Sequence, residues 1–176
     1  MSPATPRRGA AGTVGEPGLL QVDRESARVA FRRILRHPVE DVWAAITDPK
    51  QLEIWFMTKV SRESTTGRLE MLHANGVRAT GQVLEWNPPW VYEYEWVVDP
   101  GPLLPHGEKS IVRWELSTHK EGTLLVLTHR NLTRPTAEIF VRGFNILLDR
   151  LSARMDGKPL PEPPWLAPAR GAVTTD

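Results

Sequence analysis

The alternation of hydrophobic and polar residues predicts a series of β-strands through the middle of the chain. It is clearest at Tyr92, Tyr94 and Trp96, which alternate with Glu93 and Glu95. A period of two is typical of a strand with one buried and one solvated face, so both glutamates are expected to face solvent. Weaker patterns predict further strands over residues 27–36, 57–64, 67–73, 77–86, 112–116 and 125–129.

Apolar residues at helical spacing predict three helices. The first lies between Pro38 and Pro49 and carries Val39, Val42, Trp43 and Ile46 on one face. A short helix is expected over 50–56, and a long one from 135 to about 155, ending at Gly157. One strand, two helices, about six strands and a long helix make an α+β fold, with an antiparallel sheet covered on one face. Because one helix does not fully fill a strongly curved sheet, the gap between them is a natural ligand site.

Composition divides the chain into one domain and two tails. Residues 1–25 are rich in Gly, Ala, Pro and Arg and have no periodicity, which predicts a disordered N-terminal tail. Residues 158–176 are rich in proline and are expected to be an extended tail. Within this tail, Trp165 and Leu166 are candidates for docking back onto the domain. The predicted ligand-binding domain therefore spans 26–157.

Charge and residue usage exclude several classes of function. The net charge of +1 gives no argument for a nucleic-acid partner. The chain has no cysteine, and no apolar run is long enough to span a membrane. The N-terminus lacks the apolar region of a secretory signal, so a cytoplasmic location is expected. The five histidines are scattered, and no phosphate or dinucleotide motif occurs, so neither a metal nor a cofactor is predicted.

Four motifs resemble one known superfamily. They are HPVEDVWAAITDPKQLEIWF, GQVLEWNPPWVYEYEW, VRWELSTHKEGTLLVLTHRNL and GFNILLDRL, in that order along the chain. This set resembles the SRPBCC superfamily (START-like, helix-grip, Bet v 1-like). Within it, the set is most similar to the branch of activator of heat-shock protein 90 ATPase homologues. The family usually has a tryptophan where this chain has Phe144. The resemblance covers roughly residues 26–157.

The resemblance implies a helix-grip fold, in which a curved antiparallel sheet of six to seven strands wraps around a long C-terminal helix. Two short helices are expected after the first strand. Members of the superfamily bind lipids, polyketides, steroids or plant metabolites, and some cyclise or dehydrate polyketides. The chaperone role in the branch's name carries over poorly, because this chain lacks the additional chaperone-binding domain of those members.

Alternate residues of a strand face the same side of the sheet. This alternation, together with the apolar face of the long helix, predicts which side chains line an internal cavity. The alternative is a solid aromatic core, since aromatic side chains also dominate cores. Trp96 and Trp114 are expected to be buried neighbours on the inner sheet face. The predicted ligand-binding residues are Trp43, Trp55, Phe56, Met71, His73, Tyr94, Trp96, Trp114, His129, Ile139, Gly143, Phe144 and Leu147.

Two of these residues are also weak candidates for acid–base catalysis. His129 ends an inward-facing strand pattern, and imidazole titrates near neutrality. It would act with a buried tyrosine, Tyr94 or Tyr92. The alternative is a structural histidine that fixes the turn into the long helix. His73 either continues the inward face of its strand or lies at the surface of the following turn.

Three functions follow as hypotheses. The first is a carrier or sensor of a hydrophobic small molecule, and the second is a polyketide cyclase or dehydratase that uses the same cavity. The third is a protein-interaction or co-chaperone-like module. Loop 99–107, DPGPLLPHG, is expected to form a mobile lid over the cavity, because its prolines prevent strand pairing and Leu103 and Leu104 make its tip apolar. The oligomeric state is left open, with a homodimer as one alternative.

Overall fold

One curved antiparallel sheet dominates the fold. The structure is a computed structural model, and it describes residues 18–23 and 25–166. Within these ranges eight strands pair in the order β1-β2-β8-β7-β6-β5-β4-β3, and every pair is antiparallel. The strands are β1 (Leu19–Val22), β2 (Ala27–Leu35), β3 (Thr58–Arg62), β4 (Arg68–His73), β5 (Arg78–Asn87), β6 (Val91–Val98), β7 (Glu108–His119) and β8 (Gly122–Leu132).

Three α-helices cover the inner face of the sheet. They are α1 (Val39–Thr47), α2 (Pro49–Trp55) and α3 (Arg134–Met155). The carboxylate of Asp48 accepts a hydrogen bond from the backbone N–H of Lys50 at 2.9 Å, which caps the start of α2. Gly157 ends α3 with a φ of +66°, a conformation that glycine adopts without steric cost.

The core lies between α3 and the inner face of the sheet. Phe144, Leu148 and Leu151 are the large apolar side chains that α3 buries. Register irregularities in β2, between Ala27 and Val29, and in β5, between Val83 and Glu85, interrupt the regular pairing. Such bulges bend a strand and increase its twist, so the sheet curls around α3 rather than lying flat against it.

The predicted α+β helix-grip architecture is confirmed, but the predicted strand number is too low. The extra strand, β1, pairs with β2 at the edge of the sheet and lies inside the segment that was predicted to be a disordered tail. All four residues of β1 are exposed, so the strand has no buried face that could produce an alternating pattern. The rest of that predicted tail, residues 1–17 and 24, lies outside the described residues, as do residues 167–176 of the C-terminal one.

The outer face of the sheet overturns the expectation that Glu93 faces solvent. Glu93 is only 9% exposed. Its carboxylate accepts hydrogen bonds from Arg130 at 2.8 Å and from Arg113 at 3.3 Å. These two arginines lower the pKa of Glu93, with the hydrogen bond from Arg130 the largest cause. The outward parity of Glu93 was predicted correctly, but the long side chains of Arg113, from β7, and Arg130, from β8, cover this position.

Trp96 and Trp114 are both buried on the inner face, as predicted, but they are not neighbours. Trp114 lies opposite Tyr92 in the β6–β7 register, whereas Trp96 lies opposite Ser110. Four residues therefore separate the two positions along the sheet. The prediction paired the strands correctly but with the wrong register, which the sequence of two isolated strands does not specify.

Candidate functional site

A chamber of about 340 Å³ lies beneath the N-terminal two thirds of α3. Its deep wall consists of buried side chains from β4, β6, β7, β8 and α3, and its rim consists of exposed ones. The lining residues are Phe56, Met57, Met71, His73, Ala74, Asn75, Val77, Tyr94, Trp96, Leu103, Leu104, Val112, His129, Thr136, Ile139, Phe140, Gly143, Phe144, Leu147 and Trp165.

The wall of this chamber is almost entirely apolar. Among the described residues that line it, none is Asp, Glu, Lys or Arg. Besides the indoles of Trp96 and Trp165, the polar side chains are two imidazoles, one phenol, one amide and one hydroxyl, from His73, His129, Tyr94, Asn75 and Thr136. A bound charge would lose its hydration here without gaining a charged partner from the wall, which is costly. The chamber therefore suits uncharged molecules.

Ten of the thirteen residues predicted to line the cavity do so in the structure. Val112, Thr136 and Phe140 line it as well and were missed. Phe140 could have been found, since it lies one helical turn before Phe144 on the apolar face of the long helix. Val112 could also have been found, since it shares the inward parity of Trp114 on its strand. No sequence signal points to Thr136. Whether these residues bind a ligand stays a prediction.

Three predicted lining residues lie elsewhere, namely Trp43, Trp55 and Trp114. Trp55 is fully buried and donates from Nε1 to the carbonyl oxygen of Ala45 at 2.8 Å. Trp114 lies behind the chamber wall, with its ring perpendicular to those of Trp55 and Phe56. Trp43 packs edge-on against Trp86 and Tyr92, on the far side of Tyr92 from the chamber-lining Tyr94. Trp55 and Trp114 are buried, as expected, but buried positions include the solid core as well as the chamber, and Trp43 is only half-buried.

His73 lies in the chamber wall with both ring nitrogens occupied. Trp96 donates from Nε1 to Nε2 of His73 at 3.2 Å, so Nε2 is an acceptor. The other nitrogen, Nδ1, is 2.9 Å from Oγ1 of Thr58, which itself donates to the carbonyl oxygen of Phe56. Nδ1 therefore carries the proton. Burial lowers the pKa of His73 to about 4, so the ring is neutral at physiological pH and structural in role.

His129 is held differently. Its Nε2 is 2.7 Å from Oγ of Ser110, and Ser110 donates its own proton to the carbonyl oxygen of Trp96 at 3.1 Å. Nε2 of His129 is therefore the protonated nitrogen and donates to Ser110. Nδ1 has no hydrogen-bond partner among the described residues. Burial lowers the pKa of His129 to about 3, so the ring is neutral and Nδ1 has a free lone pair.

Tyr94 is a protonated phenol in the same wall. Its hydroxyl oxygen accepts a hydrogen bond from Nε1 of Trp114 at 3.4 Å. Burial is the largest cause that raises the pKa of Tyr94, followed by the neighbouring Tyr92. The phenol therefore remains un-ionised at physiological pH and is not a base.

A loop and the C-terminal segment both contribute side chains to the rim. Leu103 and Leu104, from the loop between β6 and β7, line the chamber, which places the predicted lid at the cavity; its mobility stays a prediction. On the other side, a short 3₁₀ turn at Pro164–Leu166 brings the ring of Trp165 over Gly143. The C-terminal segment therefore folds back onto the domain, beyond the predicted boundary at 157.

Arg150 anchors this returning segment. Its Nε donates to the carbonyl oxygen of Trp55 at 2.9 Å and its Nη2 to that of Ile54 at 3.0 Å. The remaining nitrogen, Nη1, donates to the carbonyl oxygen of Pro161. One buried guanidinium thus ties together α3, the end of α2 and the C-terminal segment, and Trp165 follows four residues later.

The described residues contain no cluster of potential ligands for a metal ion. None of their helices is both long enough and apolar enough to cross a membrane.

Comparison with known proteins gives both a family and structural relatives. Residues 36–156 match the family described as Activator of Hsp90 ATPase homolog 1-like protein. The crystal structure of CalU16 from Micromonospora echinospora is 26% identical and has a TM-score of 0.66, with 84% of this chain and 88% of CalU16 covered. Curated proteins provide no match to this chain.

Two further solved structures are less similar in sequence. Protein MLL2253 from Mesorhizobium loti is 24% identical with a TM-score of 0.67, over 76% of this chain and 99% of its own. DynU16, described as a protein in the dynemicin biosynthetic locus, is 23% identical with a TM-score of 0.63, over 80% of this chain and 51% of its own. At these identities the likeness shows the fold alone.

Proposed function

The chain belongs to the family of Activator of Hsp90 ATPase homolog 1-like proteins, and on that premise we propose that its chamber binds an uncharged, largely apolar small molecule, as a carrier or sensor. The observation that carries this proposal is the almost entirely apolar wall of the chamber, which has no charged side chain among the described lining residues. Its volume of about 340 Å³ lies within the range of small-molecule sites, about 300–1,000 Å³.

The wall also indicates how such a molecule would be held. Aromatic rings from Phe56, Tyr94, Trp96, Phe140 and Phe144 surround the space. Apolar surface gains about 25 cal/mol for each Å² removed from water, so a flat or ring-shaped hydrophobic molecule would gain most of its binding free energy from these rings. Few polar groups are available, and they would orient the molecule rather than supply most of the affinity.

The chemistry of the chamber favours binding over acid–base catalysis. In the cyclase or dehydratase alternative, His129 would take a proton from the substrate. A general base works best when its pKa is near the operating pH, and burial lowers the pKa of His129 to about 3. Tyr94 has a raised pKa and holds its proton. Neither group is poised to exchange protons at neutral pH in this state.

Two measurements test the proposal. Native mass spectrometry of freshly purified protein should show a retained small molecule, and the neutral dye prodan should shift its emission to the blue when it binds. Leu147→Trp fills the chamber from α3 and should abolish the emission shift, whereas Leu84→Trp, at an exposed position outside the lining, should not.

The proposal fails if wild-type protein carries no adduct and leaves prodan emission unchanged. It also fails if Leu147→Trp binds the dye as well as wild type does, because the dye would then sit elsewhere. Chemical conversion of a retained molecule during incubation would instead support the enzyme alternative. Co-purification of a protein that Leu147→Trp does not displace would support the interaction alternative.

A further inference from the structure

The chamber wall contains one buried polar atom that the fold leaves without a partner. His129 is 2% exposed, and its Nδ1 makes no hydrogen bond to any of the described residues. Buried polar atoms in proteins are almost always paired, and an unpaired one is costly. Because His129 also lines the chamber, a bound ligand is one source of the missing partner.

The hydrogen bonds around His129 decide what kind of partner this is. Ser110 uses its proton for the carbonyl oxygen of Trp96, so its oxygen can only accept from Nε2 of His129. Because a neutral imidazole carries one proton, Nδ1 is then an acceptor. Because the pKa of His129 is lowered, Nδ1 remains an unprotonated acceptor across physiological pH. A matching ligand group must therefore be a donor.

The hydrogen-bonding groups of His73 and Thr136 in the wall are already engaged. Both nitrogens of His73 have partners, Nε2 in Trp96 and Nδ1 in Thr58. The hydroxyl of Thr136 pairs with that of Thr133 at 2.9 Å. Of the two imidazoles in the described wall, only His129 keeps a lone pair for a ligand.

The rings around His129 limit the shape of the group that reaches it. Phe140 lies with its ring centre 4.7 Å from that of the imidazole, and Trp96 presents its edge at 5.5 Å. Both rings also line the chamber. A donor that approaches Nδ1 therefore brings an apolar framework against two aromatic rings, which suits a hydroxyl group on a ring system.

Resting on the proposed function, we propose that the ligand is a neutral ring compound that carries a hydroxyl group, and that this hydroxyl donates a hydrogen bond to Nδ1 of His129. His129 would thus select among apolar molecules of similar size. Its role is recognition, and no bond in the ligand is made or broken.

Matched probes test this specificity. Wild-type protein should bind 1-naphthol about fivefold more tightly than 1-methoxynaphthalene by calorimetry, the equivalent of one hydrogen bond of about 1 kcal/mol. His129→Phe removes the acceptor and should bring the ratio close to one. Phe140→Leu is the control, because it should weaken both probes and preserve the ratio.

A second variant and a direct measurement cover the case in which His129→Phe does not fold. Ser110→Ala releases Nε2, so the ring can place its proton on either nitrogen, and the preference for 1-naphthol should fall. In wild-type protein, the ¹⁵N resonance of Nδ1 of His129 should lie in the unprotonated range and shift when 1-naphthol is added.

The outcomes separate the two proposals. If wild-type protein binds both probes equally, or if Nδ1 is protonated, the hydroxyl inference is wrong while binding in the chamber stands. If wild-type protein binds neither probe nor prodan, the proposed function itself is wrong. A fivefold preference that persists in His129→Phe would place the hydroxyl group against another residue and would also overturn the inference.

Discussion

The ring of Trp165 packs over Gly143 in the middle of α3, where a β-carbon on Gly143 would lie 3.7 Å from Cη2 of the indole. Both residues line the chamber. Because Gly143 has no side chain, the helix surface at this position has room for the indole of Trp165. This contact makes Trp165, from the C-terminal segment, part of the chamber wall.

A small side chain at position 143 should leave the contact with Trp165 intact, whereas a large one should disrupt that contact. Gly143→Ala should stabilise the protein by about 0.5–1 kcal/mol, because alanine is a better helix former and its β-carbon meets Trp165 only at ordinary contact distance. Gly143→Leu should keep the fold but displace the indole and weaken prodan binding. Urea unfolding and dye titration check both. An alanine variant less stable than wild type would contradict the contact.

Trp165→Ala should open the chamber. The side chain is 46% exposed, so its removal should cost little stability, about 1 kcal/mol or less. The rates of prodan association and dissociation, measured by stopped flow, should both rise. Trp90→Ala is the matched control, since Trp90 is similarly exposed, at 40%, and lies outside the lining. Equal rates in wild type and Trp165→Ala would show that the indole does not restrict access.

Arg150→Met should destabilise the protein by about 2–3 kcal/mol, because it leaves three carbonyl oxygens without their charged donor. These belong to Ile54, Trp55 and Pro161. Methionine keeps the apolar stem, so the loss reports on the guanidinium. Arg142→Met, at an exposed position of the same helix, should change the free energy of unfolding by about 0.5 kcal/mol at most. Equal effects of the two substitutions would refute the anchoring role.

Acid should destabilise the protein through His73 and His129, whose neutral forms the fold favours. Their folded-state pKa values are about 4 for His73 and about 3 for His129, below the value of about 6.5 for an unfolded chain. The unfolded state therefore binds more protons between these limits, and stability falls as the pH drops below about 6.5. Each histidine should cost roughly 2 kcal/mol between pH 7 and pH 5.

Urea unfolding at pH 7 and pH 5 isolates the contribution of His129 to this loss of stability. The loss of stability between the two pH values should be smaller in His129→Phe than in wild type by roughly 2 kcal/mol. His106→Phe is the matched control, since it makes the same substitution at an exposed histidine in the loop. An identical pH dependence in wild type and His129→Phe would mean that His129 is not buried in its neutral form.

Much of the candidate site could be read from strand parity. Met71, Tyr94 and Trp96 face the chamber because alternate residues of a strand point to the same side. Parity separates inside from outside, but it does not separate a chamber from a packed core. Trp114 is as inward-facing as Trp96, and it became core because the rings of Trp55, at the end of α2, and Phe56 pack against it.

The sequence by itself determined the order of the elements, the inner face of each clear strand and the apolar face of α3. These follow from local periodicity, which each segment carries independently of the rest of the chain. Only the tertiary structure decided the register that separates Trp96 from Trp114 and the arginines that bury Glu93. It also decided the return of Trp165 to Gly143 and the free lone pair on His129. Each of these features depends on atoms that are far apart in the chain. They come into contact only when the curved sheet, α3 and the C-terminal segment pack together.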